Sequence, residues 1–478
     1  MHLTPPYKAA TLASLALVLV LSPSTGTVAA EKGAAATAAT ARSQSSQKNM
    51  TLLGNWNGRE LQGGSGYGDI WGYTDSITGR EYALLTVRDT GLSIIDISAD
   101  SLVEVGFFPS LQPGRDAKDV KVYKHYAILI KENEPAQIID LADPANPDSV
   151  SIIHIGPPEL NGGAHNAFVQ GQYLYTTGNR GVGGLIIYDL TDPAKPDSIG
   201  EYQAQYYHDF YARGDTGYAA AIKGGGIDIL DLTVKSNPQL IANINYPAPR
   251  SHNCWTSEDG NYLFVGDEGN PPGMWTRVFD VRDPFKVTQV ADYIADSLAI
   301  VHNSYVRGDY LYVAYYTEGV RVVDVSDPTQ PVEVAYYDTY LAEGYGFLGV
   351  WSVYPYFESG KIIASDMQTG LYVLEVDWVA VDTRPSADPL PSQIQLAQNF
   401  PNPFNAGTTL RYDLSQSGQV TLTVYDIAGR SVATLVNEVQ TRGRHQASWA
   451  GEGVGSGVYL YRLRQGNLAV TRKLVILK

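Results

Sequence analysis

Four histidines recur at one place in successive segments of this chain: His165 in HNAFV, His208 in HDFYA, His252 in HNCWT and His302 in HNSYV. Two related segments begin around an acid, Asp69 in GDIWGY and Asp119 in KDVKVY, which are expected to join the histidines in one ring near a channel mouth, and a seventh begins at Trp351 in WSVYP. Imidazoles that converge with carboxylates suit zinc or another divalent ion, so His165, His208, His252 and His302 are candidate metal ligands, helped by Asp267, Glu268 or Asp366. The competing reading is structural. A side chain repeated at the same place performs the same task in each repeat, such as hydrogen bonding to the neighbouring loop, which buried polar groups require. The residues by themselves favour that second reading.

Signatures of catalysis are absent from the sequence. It has no Gly-rich phosphate loop, no GxSxG elbow, no HExxH helix and no CxxC pair. Its one cysteine, Cys254, follows His252 by one residue and the two are poorly placed for proton transfer, because adjacent strand residues point to opposite faces. Trp71, Trp255 and Trp351 can stack on a sugar, although packing between neighbouring sheets explains them as well.

The elements that must position these residues are strands. An apolar run ending in an acid occurs seven times, at Asp96, Asp140, Asp189, Asp231, Asp280, Asp324 and Glu375, where the acid can cap the following turn. The segments that open on the histidines form a second series, at positions 68, 118, 165, 208, 252, 302 and 351. Spacing in the forties, with short β-branched runs and no helical period, is the signature of a propeller blade of four strands. One blade is legible in full: HNSYVRG as strand a, DYLYVAYY as b, GVRVVDVS as c and VEVAYYDTY as d. The last blade lacks its strand d, and TLLGNWNG at 51–58 resembles the missing piece, so joining the two ends closes the ring. In this arrangement the starts of strands a and the b–c loops share one face. That face carries Arg88, Asp89, Lys131, Glu132, Arg180, Lys223, Asp267, Glu268, Glu318 and Asp366.

Outside the repeats, residues 1–30 have the pattern of a secretory signal peptide, and 31–50 read as a flexible leader. A Pro-rich linker at 379–393 precedes alternating runs over 394–478 that predict a small β-sandwich. The expected fold is all-β, a seven-bladed β-propeller at 51–378 followed by an immunoglobulin-like β-sandwich. A net charge of −16 offers no basic stripe for nucleic acid.

Segments such as SHNCWTSEDGNYLFVGDEGN and VHNSYVRGDYLYVAYYTEGVRVVDVSDPTQPVEVAYYDTY resemble the choice-of-anchor B family of LVIVD-type repeats. That resemblance implies a fold and export, with no established chemistry. PNPFN at 401–405, VYDIAGR at 424–430, SGVYLYRL at 456–463 and the closing KLVILK resemble the type A sorting domain of the type IX secretion system. It implies that residues 394–478 engage the secretion machinery, pass the outer membrane and are cleaved or exchanged for an anchor. The expected function is a non-catalytic, cell-surface or secreted module that binds a polysaccharide or protein through His165, His208, His252, His302, Asp267, Glu268, Asp366, Glu318 and Arg88. It needs no cofactor. The alternative is a metal-dependent hydrolase or lyase at the channel mouth, holding a divalent metal.

Overall fold

The computed structural model describes residues 47–378 apart from 60–65, 100, 113–116, 157–161, 271–272 and 343, together with Val381 and most of 394–477. The signal peptide expected at 1–30 lies outside the described residues, as do 31–46 and the linker from 382 to 393.

The repeats fold as seven antiparallel sheets of four strands, one of them extended by a fifth. Their innermost strands are Tyr67–Thr74, Ala117–Tyr123, Asn166–Gln170, Asp209–Arg213, Ser251–Thr256, Ser304–Arg307 and Val350–Tyr354. Each touches the next, and the last returns to the first, so the sheets form a closed circle around one axis. Strands buried on both faces favour apolar residues throughout, and Gly91–Asp96 and Glu81–Val87 are buried along their whole length. The acids that end strands c act as expected: a carboxylate oxygen of Asp96, Asp140, Asp189, Asp231, Asp280 and Asp324 accepts from the amide two residues on, at 2.7–3.1 Å.

Closure comes from the N-terminal side. Met50–Trp56 pairs antiparallel with Gly370–Val376 as the outer strand of the last sheet. It carries a bulge between Leu52 and Gly54, at the position where the outer strands of the other sheets are bulged. The last residues of the stretch read as a leader, 47–50, are part of the fold. Gln47–Lys48 pairs with Tyr336 and Tyr337 of the preceding sheet, and Met50 is buried in the apolar cluster with Val322, Val353 and Leu374. Burying that side chain anchors the first residue of the closing strand.

Near the C-terminus, a three-stranded sheet (Gln395–Leu396, Thr408–Leu414, Gly443–Trp449) and a four-stranded sheet built around Gly418–Asp426 and Gly457–Gln465 share one core. Leu410, Tyr412, Leu422, Val424, Tyr461 and Leu474 fill it.

Gly370 tests the closure. It sits at φ +86° at the tip of the last b–c hairpin, and a Cβ there would stand 2.3 Å from the Trp56 carbonyl oxygen of the closing strand. Gly319 holds the same place in the preceding sheet, against Tyr337 O. Gly370→Ala is therefore expected to lower unfolding stability by about 2–3 kcal/mol in urea titration, since both the left-handed backbone and the clash are penalised. An unchanged midpoint would show that the closing strand is dispensable.

Candidate functional site

The innermost strands bulge at the mouth of the channel. The pairing register shifts between Ser251 and Asn253, between Ala117 and Asp119, and between Val350 and Ser352. The residues skipped are His252, Lys118 and Trp351. A bulge re-aims a side chain, and here it turns these toward the mouth.

The four histidines form a continuous arc. Ring centroids are 4.0 Å apart from His165 to His208, 4.3 Å from His208 to His252 and 4.2 Å from His252 to His302. The arc ends on Trp351, 4.6 Å from His302. Arg88 and Lys118 flank the indole at 5.6 and 5.5 Å. The mouth thus carries a row of imidazoles that runs into an aromatic ring with two cations close to it.

Partners fix most of the arc. His165 Nδ1 lies 2.6 Å from Glu132 Oε1, and His302 Nδ1 contacts the Trp351 carbonyl. Glu268 reaches over the middle, its Oε2 3.4 Å from His252 Nε2 and its Oε1 3.8 Å from His302 Nε2, while the Tyr316 hydroxyl donates to Oε1 at 2.7 Å. Burial holds His252 and His302 down to about 3, with His165 adding to the effect on His252 and His252 to that on His302. Burial also pushes His208 well below its ordinary range, helped by its neighbours in the arc and by Lys118. These three rings are therefore neutral at ordinary pH.

Asp69 and Asp119 do not belong to this ring. They occupy the next register position, one layer deeper, equivalent to Asp209, Asn253, Asn303 and Ser352. The residue at the level of the histidines is Lys118, which sequence reasoning passed over. In the deeper layer Lys121 Nζ bonds Asp119 and lies 2.9 Å from Asp69 Oδ2, with Trp71 4.5 Å beyond. Asp119 Oδ2 accepts from the Ala167 amide, and Asn253 bridges Asp209 to the Ser304 amide. Apart from the Lys121–Asp119 bond within one strand, each of these bonds crosses from one blade to another. Lys121 is raised by its two acids despite burial, while burial and the neighbouring Asp69 push Asp119 up. Below this layer Trp71, Trp255, Tyr305 and Tyr356 pack edge to face, tilted and stacked at 5.2–6.4 Å and plug the channel.

Three acids proposed for the binding face are committed elsewhere. Asp267 accepts from Tyr246, the Arg250 amide and Arg277 with no exposed surface. Asp366 accepts from Thr339 and from the Gln368 and Thr369 amides. Glu318 pairs with buried Arg321 at 2.6 Å. They support the loops rather than line the mouth, because each is buried against a neighbour that supplies its hydrogen bonds. Lys131 is likewise buried against Glu134. Cys254 is no nucleophile either: burial pushes its thiol well up, and Sγ faces the Tyr218 carbonyl at 3.7 Å. Beside the arc, a groove of about 460 Å³ runs from Glu132 along the loop 178–183 to Tyr206, over which Lys223 Nζ sits at 3.9 Å.

The LVIVD repeat matches residues 72–106, 114–154, 161–204 and 300–339, and the secretion system C-terminal sorting domain matches 398–477. The chain is an LVIVD-repeat β-propeller with a C-terminal secretion sorting domain. The sorting domain marks it for type IX export to the cell surface or the extracellular space and for contact with the secretion machinery. The LVIVD matches cover the first, second, third and sixth sheets and so include His165 and His302, but not His208 or His252. Among solved structures, the β-propeller domain of Cps50 (Swd1) from Myceliophteria thermophila is similar with a TM-score of 0.51 at 10% identity, over 68% of this chain and 99% of that one. PorZ, a surface component of the type IX secretion system of Porphyromonas gingivalis, is similar with a TM-score of 0.42 at 12% identity over 84% of this chain. The LVIVD propeller and its tail span 58% of the length of PorZ. No curated protein matches the chain.

Two outcomes test this layering. Lys121→Met leaves two buried carboxylates without their cation and is expected to cost about 3–5 kcal/mol in chemical denaturation; a loss under 1 kcal/mol would mean that the acids are not held by Lys121. The depressed histidines set a second expectation. Their native values lie below the ordinary 6.5, so below that pH the unfolded chain binds protons that the fold refuses. Stability from this source is complete above about 6.5 and falls as the pH drops toward 3, by up to about 1.4 kcal/mol per pH unit for each ring. His252→Gln should flatten the dependence of the melting temperature on pH between 6.5 and 4, and an unaltered slope would refute the assignment.

Proposed function

We propose that this exported propeller is a non-catalytic binding module that takes an acidic polysaccharide at its histidine-lined mouth. The observation that carries this is Trp351, an aromatic ring at the mouth that ends the arc of imidazoles and lies within 5.6 Å of both Arg88 and Lys118. A sugar ring stacks on an indole, and guanidinium and ammonium groups recognise carboxylates, so one ligand satisfies both features. The adjoining groove repeats the pairing with Tyr206 and Lys223, and Arg180 lines it too. A chain that meets the mouth can continue into this groove. The aromatic plug beneath favours recognition from the face over passage through the ring.

The test is binding of full-length protein to uronate-bearing and neutral polysaccharides by affinity electrophoresis and calorimetry. Uronate-bearing chains should be retained and neutral ones not. Trp351→Ala should weaken binding about tenfold, or ~1.4 kcal/mol, and Lys118→Gln should weaken it while reducing its salt dependence. If both variants bind as the wild type does, the ligand is not held at the mouth.

A further inference from the structure

We propose that His208, His252 and Glu268 hold a divalent transition ion of the zinc class at the channel mouth. One ring nitrogen from each histidine and one carboxylate oxygen of Glu268 all lie within 4.8 Å of one another. Ligands at ordinary zinc distances of about 2.1 Å stand roughly 3.4 Å apart around a tetrahedral ion. His252 Nε2 and Glu268 Oε2 already stand at 3.4 Å.

The arrangement fits a shared cation better than hydrogen bonding within the protein. Glu268 faces His252 and His302 at 3.4 and 3.8 Å, beyond the span of ordinary hydrogen bonds. Its neighbour Asp267 shows what a structural acid looks like here, with three donors on it, one of them an arginine side chain. Glu268 has one hydroxyl partner, Tyr316, on Oε1, which orients the carboxylate as outer partners of metal ligands do. His208 supplies an independent sign. It is 8% exposed, and its Nδ1 has no hydrogen-bond partner among the described residues, a costly state for a buried polar atom. His165 and His302, at the ends of the arc, each have a partner for Nδ1, and His208 and His252 between them have none among the described residues.

Two imidazoles and one carboxylate form a mixed nitrogen and oxygen set that suits zinc, cobalt, nickel or manganese ahead of calcium. Three protein ligands leave a position for water or for an incoming oxygen. On the reading that the mouth takes an acidic ligand, that position receives a carboxylate of the ligand, and the ion becomes part of the recognition surface.

The experiment uses full-length protein stripped with a chelator. Zinc is titrated by calorimetry, and cobalt is followed by its visible absorption, which reads the ligand field in the wild-type protein without any substitution. One equivalent is expected, with His208→Gln and Glu268→Gln each weakening zinc binding by at least about 10–100-fold. His125→Gln and His445→Gln, which alter histidines outside the arc, should leave it unchanged. Absence of stoichiometric zinc together with a cobalt spectrum of the hydrated ion overturns the proposal. So does one equivalent of metal whose affinity is untouched in both His208→Gln and Glu268→Gln. Stripped protein that binds uronate polysaccharide as tightly as metal-loaded protein removes the ion from recognition and leaves the mouth as the ligand site. One-to-one zinc with no retention of any acidic polysaccharide sinks the binding reading and leaves the metal site standing.

Discussion

Seven strands that converge on one axis leave their polar side chains little water, so those groups must satisfy one another across blade boundaries. The layer of Asp69, Asp119, Lys121, Asp209 and Asn253 is the response to that constraint. Lys121 is the cation between acids of two blades, and Asp119 reaches the backbone of a third. Buried ion pairs add little net stability compared with apolar packing, but they penalise misalignment strongly. Here they fix how the blades meet, and with that the height of the histidine arc above the plug.

The repeat architecture was legible because a β-blade imposes its own period on the sequence. Seven acids ending seven apolar runs sufficed to place the strands, since an aspartate at a strand end has a local task that does not depend on the rest of the fold. The closing strand was legible for a related reason. TLLGNWNG had the pattern of an outer strand, and an unpaired sheet edge needed one.

The mouth was harder to read, for two physical reasons. A strand alternates its faces, and a bulge breaks the alternation without a distinctive residue to mark it, so Asp69 and Asp119 were assigned to the histidine level when they lie one layer below. The register series already contained Lys118 at the right place, and following it strictly would have found that residue. The acids of the b–c loops posed the second difficulty. Asp267 and Glu268 are neighbours of the same charge, yet one is consumed by Arg277 and Tyr246 while the other overlooks the arc. Nothing in the order DE distinguishes them. The distinction arises from Arg277 on the adjacent strand, which only pairing brings within reach.

The closing strand has a consequence for the timing of folding. Met50 pairs with Val376, so the ring is sealed by a contact between opposite ends of the propeller sequence. Loop closure over such a span is entropically slow, and hairpins within each blade can form long before it. Until the end of the last blade is available, its outer edge stays open and the circle cannot lock. A chain truncated anywhere before Val376 therefore keeps an open sheet edge however many blades it has formed, and rigidity arrives as a single late event rather than blade by blade.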